Sequence, residues 1–218
     1  MIKASLFAAG LASIVASAAS ADVIAGWSMP TAVAASTTGA TYSYGAADSG
    51  AMVSGSMLSG THSSASTVWS SPAGNGSTYA LSSNAWNVGD YYQISLATTG
   101  YSGVSVAWEQ TRSSTGPAGF EAVLSVDGGS TFSSLGAYTV NQVSWNATVP
   151  VTTSSFGSLA SAADNQASVI IRFKVVTAGT STTTGTNRID NIVVSGLIPA
   201  PGAVALIGLA GLVSRRRR

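Results

Sequence analysis

The chain has 218 residues, no cysteine, one histidine and a charged fraction of only 8%. Without cysteine there is no disulfide, thiolate metal site or lipid-modified thiol, and a lone His62 rules out a multi-histidine metal site. The formal net charge of +1 is unevenly placed: Lys3, Arg215, Arg216, Arg217 and Arg218 sit at the two ends, leaving Arg112, Arg172, Lys174 and Arg188 against eight acids, a body of net charge −4. Such a body lacks the basic footprint that phosphate backbones require, so no nucleic-acid partner is expected.

The N-terminus reads Met1-Ile2-Lys3, an apolar run from Leu6 to Val15, then Ala19-Ser20-Ala21. A positive start, an apolar stretch too short to span a bilayer and a small-residue cleavage site together predict a helical signal peptide over 1–21. Signal peptidase would cut between Ala21 and Asp22. The other reading is a buried N-terminal helix.

Val23–Trp27 reads as a buried first strand. Residues 31–77 are rich in Ser, Thr, Gly and Ala, which predicts loops and short edge strands. His62 lies beside Ser63 and Ser64 with no acid next to it, so a solvated loop histidine is expected and not a member of a catalytic triad.

From residue 90 the pattern alternates with period two. Tyr92, Ile94 and Leu96 share one face of Tyr91–Ala97. Val104, Val106 and Trp108 share one face of Gly103–Gln110. Phe120, Ala122, Leu124 and Val126 share one face of Phe120–Val126. Asp127-Gly128-Gly129-Ser130 predicts a hairpin turn, because glycine supplies the positive φ. Further strands are expected at Gly136–Val140, Ser144–Val149, Val169–Val176 and Arg188–Ser195, with a helical turn at Ser161–Asp164. Short strands with Gly/Ser/Thr turns and no long amphipathic helix predict an all-β antiparallel sandwich over 22–197, a jelly roll.

Arg188-Ile189-Asp190-Asn191-Ile192-Val193-Val194 resembles the closing strand of galactose-binding-like and laminin-G-like jelly rolls. The stretch from Gly100-Tyr101 through Trp108-Glu109-Gln110 to Gly116-Pro117 is similar to a block common in secreted bacterial β-sandwich proteins. Together these cover about half the body and imply fold, not function.

Three sets of residues invite chemistry. A hairpin centred on residue 115 would set Glu109 opposite Glu121, and two facing carboxylates are the minimum for glycoside hydrolysis. The plainer reading is two solvated acids, one bridged to Arg112. Asp190 and Asn191, placed at the start of a strand, with Asp48 as a further ligand, are candidates for a structural calcium; calcium needs six to eight oxygens, and the competing reading is an Asx turn. Tyr91, Trp69 and Tyr101 are the leading candidates for stacking on sugar rings, ahead of Tyr42, Tyr44 and Trp86, although aromatics in a sandwich are more often core. No other cofactor is expected.

The C-terminus reads Pro199-Ala200-Pro201-Gly202, an apolar run Ala203–Val213, Ser214, and then Arg215, Arg216, Arg217 and Arg218. As a helix the run is about 16 Å long, against a hydrocarbon core of about 30 Å. The arginines would hold the distal end in the cytoplasm. This order over 198–218 resembles the PEP-CTERM sorting signal, in a variant with Ala200 in place of the usual Glu. The resemblance implies recognition by an exosortase, a membrane-embedded transpeptidase-like enzyme, cleavage near Pro199–Pro201, initial residence of the tail in the inner membrane, and association with exopolysaccharide production. The expected protein is therefore an exported cell-surface or matrix protein, structural or polysaccharide-binding and not an enzyme. The alternative is a glycan-processing enzyme using Glu109 and Glu121.

Overall fold

The computed structural model describes residues 21–148, 155–159 and 161–198. The expected signal peptide up to Ser20 and the expected sorting tail from Pro199 lie outside the described residues. That places outside them Ala19 of the expected cleavage site, Pro199, Ala200 and Pro201 of the expected sorting motif, and all four terminal arginines, Arg215, Arg216, Arg217 and Arg218. Ala21 and Asp22 are the exposed first residues of a strand.

The described chain is all-β, with two six-stranded antiparallel sheets. Its strands are β1 Ala21–Trp27, β2 Thr41–Gly45, β3 Met57–Thr61, β4 Trp69–Ser70, β5 Leu81–Ser83, β6 Tyr91–Leu96, β7 Ser102–Arg112, β8 Gly119–Ser125, β9 Ser133–Thr139, β10 Ser155–Ser158, β11 Val169–Thr177 and β12 Asn187–Leu197. A 3-10 turn at Ser161–Ala163 occupies the predicted helical turn. The first sheet runs β10-β7-β12-β5-β4, and β1 shares the free edge of β12 with β5, pairing over Ile192–Leu197 while β5 takes Asn187–Ile189. The second sheet runs β2-β3-β6-β11-β8-β9.

Alternation explains the burial. Tyr92, Ile94 and Leu96 of β6, Val104, Val106 and Trp108 of β7, and Val169, Ile171, Phe173 and Val175 of β11 are all buried in one core fed by both sheets. Aromatic side chains bind the layers together. Trp108 of the first sheet packs on Phe173 at 4.6 Å and edge-on to Tyr138 at 5.2 Å, both from the second. Each such pair contributes about 0.5–1.5 kcal/mol beyond area burial.

Four expectations need correction. β7 and β8 do not form a hairpin: residues 113–118 carry the chain from one sheet to the other. The strand expected at Ser144–Val149 is absent over the described 144–148. There the backbone is held by loop contacts instead of a ladder, with Thr111 Oγ1 donating to Val143 O at 2.7 Å and Asn146 O accepting from Gly76 N at 2.9 Å. Segment 31–77 is not only loop and edge, because β3 pairs on both sides, with β2 and β6. Asp190 and Asn191 do not open a strand; they sit at a bulge inside β12, where Asn191 takes φ +45°. The Asp127 turn forms as expected, with Gly128 and Gly129 at positive φ and Thr131 bonded to the Asp127 carboxylate through both its hydroxyl and its N–H.

Candidate functional site

The two glutamates singled out from sequence lie in different sheets. Glu121 on β8 forms an ion pair with Lys174 at 3.2 Å, and the Ser134 hydroxyl together with the lysine holds its carboxyl below the usual range. Glu109 on β7 instead faces Asp190 across the β7–β12 ladder. Asn191 Nδ2 donates to Glu109 Oε2 at 2.6 Å and to Asn75 O at 3.0 Å. Asp190 is fully buried beneath the 74–77 loop, and it accepts from Asn75 N at 2.8 Å, Ser77 Oγ at 2.5 Å and Asn191 N at 2.8 Å. Burial pushes its carboxyl up to about 6, against the pull of these donors and with help from the Glu109 charge.

The calcium set does not assemble. Asp48 is committed elsewhere, to Ser28 N at 2.7 Å and Ser28 Oγ at 3.2 Å. Both Asp190 oxygens already accept donors. Among the described residues no group of three or more His, Cys, Asp or Glu side chains gathers for a metal.

His62 is not a solvated loop residue. It is buried between the rings of Trp69 and Trp86, at 4.9 and 4.1 Å. Its Nδ1 lies 3.3 Å from Asp90 Oδ2 and 3.3 Å from Ala85 O, and its Nε2 lies 3.1 Å from Ser83 Oγ. Both groups facing Nδ1 are acceptors, so in the neutral ring Nδ1 carries the proton and Nε2 accepts from the serine. Burial pushes the Asp90 carboxyl up, but His62 and the N–H groups of Asn87 and Ser63 outweigh it and leave it below the usual value. The order Ser83–His62–Asp90 has triad connectivity, yet Ser83 is 1% exposed and offers no room for a substrate. Sequence reasoning missed it because Asp90 arrives from 28 residues downstream.

The aromatic candidates fall mostly into the core. Trp69 is 1% exposed, Tyr101 6% and Trp86 0%, so none is a sugar platform. Tyr42 stacks on Trp69 at 5.5 Å, and the Tyr44 hydroxyl is held by Thr31 N and O. Tyr91 is half-buried, but the Arg172 guanidinium lies 4.2 Å from its ring centroid and 4.1 Å from that of Phe132.

An open cleft of about 350 Å³ lies at the end of β7 and β12. It is lined by Thr111–Ser114, Arg188 and residues 142–145. Arg188 projects from β12 opposite Thr111 of β7. Thr111 Oγ1 pins the 141–143 backbone above it, through Asn141 O at 3.3 Å and Val143 O at 2.7 Å. Arg112 is braced by carbonyls, Nε donating to Val140 O at 3.0 Å and Nη1 to Ser113 O at 3.1 Å and Ser114 O at 3.2 Å. Arg188 makes no hydrogen bond or ion pair with the described residues, and burial pushes it down from the ordinary guanidinium value. The Trp145 side chain is 7% exposed, and its Nε1–H is buried without an acceptor. Nothing in the sequence pattern marks this cleft beyond the scarcity of basic residues.

No protein-family model matches the chain. No curated protein matches it either. Among solved structures it is similar to the K2 cleaved adhesin domain of Lys-gingipain, with 14% identity over 60% of this chain and 79% of that chain, at a TM-score of 0.27. At that score the likeness carries no argument about function.

Proposed function

We propose that this is an exported cell-surface or extracellular-matrix protein, delivered by its signal peptide and an exosortase-like sorting tail, whose body is a jelly roll serving as a structural or polysaccharide-binding module. The strand order supports the jelly roll. β5-β12-β7-β10 in one sheet and β6-β11-β8-β9 in the other, with the chain crossing between sheets at β5–β6–β7–β8 and β9–β10–β11–β12, is the order of two interlocked Greek keys. β1 to β4 are additions at its margins.

The observation that carries the binding reading is the cleft, whose lining combines hydroxyl, amide and guanidinium groups with Val143 and Trp145 and contains no carboxylate. Small-ligand sites have volumes of about 300–1,000 Å³, and this one is of that size. We propose no catalytic role for Glu109 and Glu121, since each is held by a partner on its own sheet. Two experiments test the proposal. Replacing Arg215, Arg216, Arg217 and Arg218 by Ser should shift the protein between membrane, surface and medium fractions; unchanged fractionation refutes the sorting reading. A glycan array probed with the full chain should show polysaccharide binding; a blank array leaves only the structural role.

A further inference from the structure

Four basic residues remain once the two ends are set aside. Lys174 is neutralised by Glu121 at 3.2 Å. Arg172 donates to Gln93 Oε1 at 2.8 Å and lies over Tyr91 and Phe132. The other two, Arg112 and Arg188, line the same cleft, and no acidic side chain lines it with them. In a body of net charge −4, this is a local concentration of positive charge against the prevailing sign.

Arg188 lacks the counter-charge that an oxyanion would supply. Arg188 is a partly buried cation without a counter-charge among the described residues, and such groups are ordinarily paired. Trp145 walls the cleft, with its Nε1–H out of contact with solvent. Bracing by four carbonyls fixes the Arg112 guanidinium before any ligand arrives, which reduces the ordering cost of binding. The side chains of Ser114, Gln142 and Ser144 form no hydrogen bond within the described protein, so hydroxyl and amide groups stand free beside the charge. A ligand that combines one anionic group with several hydroxyls matches this set.

We infer that the Arg112–Arg188–Trp145 cleft recognises an anionic sugar residue, bearing carboxylate or sulfate, within an acidic polysaccharide. The inference rests on the polysaccharide-binding reading above and specifies its ligand class. The surrounding acidic body repels a polyanion, so attraction is confined to this one cleft and weakens with added salt.

The test is titration of the purified full chain with four polymers: polygalacturonate, its fully methyl-esterified form, dextran sulfate and dextran. The expected result is binding to polygalacturonate or dextran sulfate at least about tenfold tighter than to the matching neutral polymer. Which anionic polymer binds distinguishes carboxylate from sulfate. Arg188→Gln should weaken that binding at least about tenfold, Arg188→Lys should weaken it less, and Gln142→Ala, which removes a free amide from the cleft lining, should weaken it about threefold or more. Thermal unfolding of each variant verifies the fold, and Gln142→Ala serves if Arg188→Gln does not fold. Equal binding to charged and neutral polymers overturns the anionic class while leaving polysaccharide binding standing. Undiminished binding by folded Arg188→Gln and Gln142→Ala overturns the site. Binding to a peptide through its C-terminal carboxylate, with none to the anionic polymers, overturns the sugar. No binding to any of the four polymers overturns this inference, and the glycan array then decides the polysaccharide-binding reading on its own.

Discussion

Asp190 and Glu109 are register partners across the β7–β12 ladder, on the sheet face opposite Trp108, and Asn191 at the adjoining bulge donates to Glu109 while its backbone N–H binds Asp190. The left-handed Asn191 makes this possible. One extra residue in β12 brings Ile192 and Val194 into the core beyond the bulge, while Ile189 and Asn187 face the core before it. The bulge therefore keeps both halves of a long strand packed, and leaves Asp190 under the 74–77 loop.

Stability should fall as pH rises through the Asp190 titration. The folded carboxyl titrates at about 6 instead of 3.8, so the native state holds a proton that the unfolded chain releases. The contribution is fully present below the unfolded value and is lost as pH rises through the folded one. At about 1.36 kcal/mol per unit, the upper bound is about 3 kcal/mol. Urea unfolding of the wild type should show a lower midpoint at about pH 7.5 than at about pH 5. Asp190→Asn, which stays neutral, should flatten that difference. A variant that keeps the full wild-type difference overturns the assignment.

Gly74→Ala should destabilise the protein and disturb Asp190. A Cβ at residue 74 would overlap Ser77 Oγ and Asp190 Oδ2. The loop must lift, and the carboxylate loses donors while it gains water. Overpacking of this kind costs about 1–3 kcal/mol. Because the carboxylate becomes wetter, the pH-dependent difference described for Asp190 should also shrink. A Gly74→Ala protein with wild-type stability and pH slope would show that the loop is not packed on Asp190.

Much of the fold is legible locally, and much of the site is not. β6, β7 and β11 carry their own alternation, and the Asp127 turn carries its own glycines, so period and turn chemistry suffice. Pairing is different. Glu109 meets Asp190 from 81 residues away, and His62 meets Asp90 from 28, so neither follows from spacing along the chain. The Glu109–Glu121 pairing fails because it takes consecutive strands for hairpin partners, whereas here the chain changes sheets between them. Trp69 and Tyr101 belong to the core and not to a surface platform, and an aromatic in a polar, loop-rich stretch has no alternation to mark which side is core. The cleft depends on Arg112, Trp145 and Arg188, which belong to three separate segments.

Asp90→Ala should be strongly destabilising, and Asp90→Asn less so. The carboxylate accepts from Ser63 N and Asn87 N, both at 2.7 Å, and faces His62 Nδ1. Its removal strands these donors, at about 1–3 kcal/mol each. Asn retains one acceptor oxygen. The lowered folded value means that this stabilisation is present above the unfolded carboxylate range and is lost as pH falls through the folded value. Chemical denaturation at neutral pH, followed by an acid titration, reads both effects. An Asp90→Ala variant as stable as the wild type would remove the buried network from the account of this fold.

Ser83 should resist a fluorophosphonate probe in the native protein. Its hydroxyl is buried and lies between His62 Nε2 at 3.1 Å and Tyr92 OH at 3.3 Å. A nucleophile needs an approach for the electrophile and donors for the developing oxyanion, and a filled core gives neither. Labelling of Ser83 by intact-mass and peptide mass spectrometry, abolished in His62→Gln, would convert this hydrogen-bond relay into an active site. Absence of labelling together with loss of thermal stability in Ser83→Ala marks it as part of the packing.

Gly60→Ala should cost about 1–3 kcal/mol, because a Cβ there would overlap Trp69 Cη2 and Cζ3. The indole has nowhere to move. Its Nε1 donates to Gly39 O at 2.9 Å, Tyr42 stacks on it at 5.5 Å, and His62 meets it edge-on at 4.9 Å. Trp69→Phe alone also destabilises, through lost packing and a stranded Gly39 carbonyl. The smaller ring vacates the space that the methyl introduced by Gly60→Ala would fill, so the double substitution should cost less than the sum of the singles by about 0.5 kcal/mol or more. Strict additivity in a double-mutant cycle of unfolding free energies would mean that Gly60 and Trp69 do not touch, and would undo the close approach of β3 to β4 across the core.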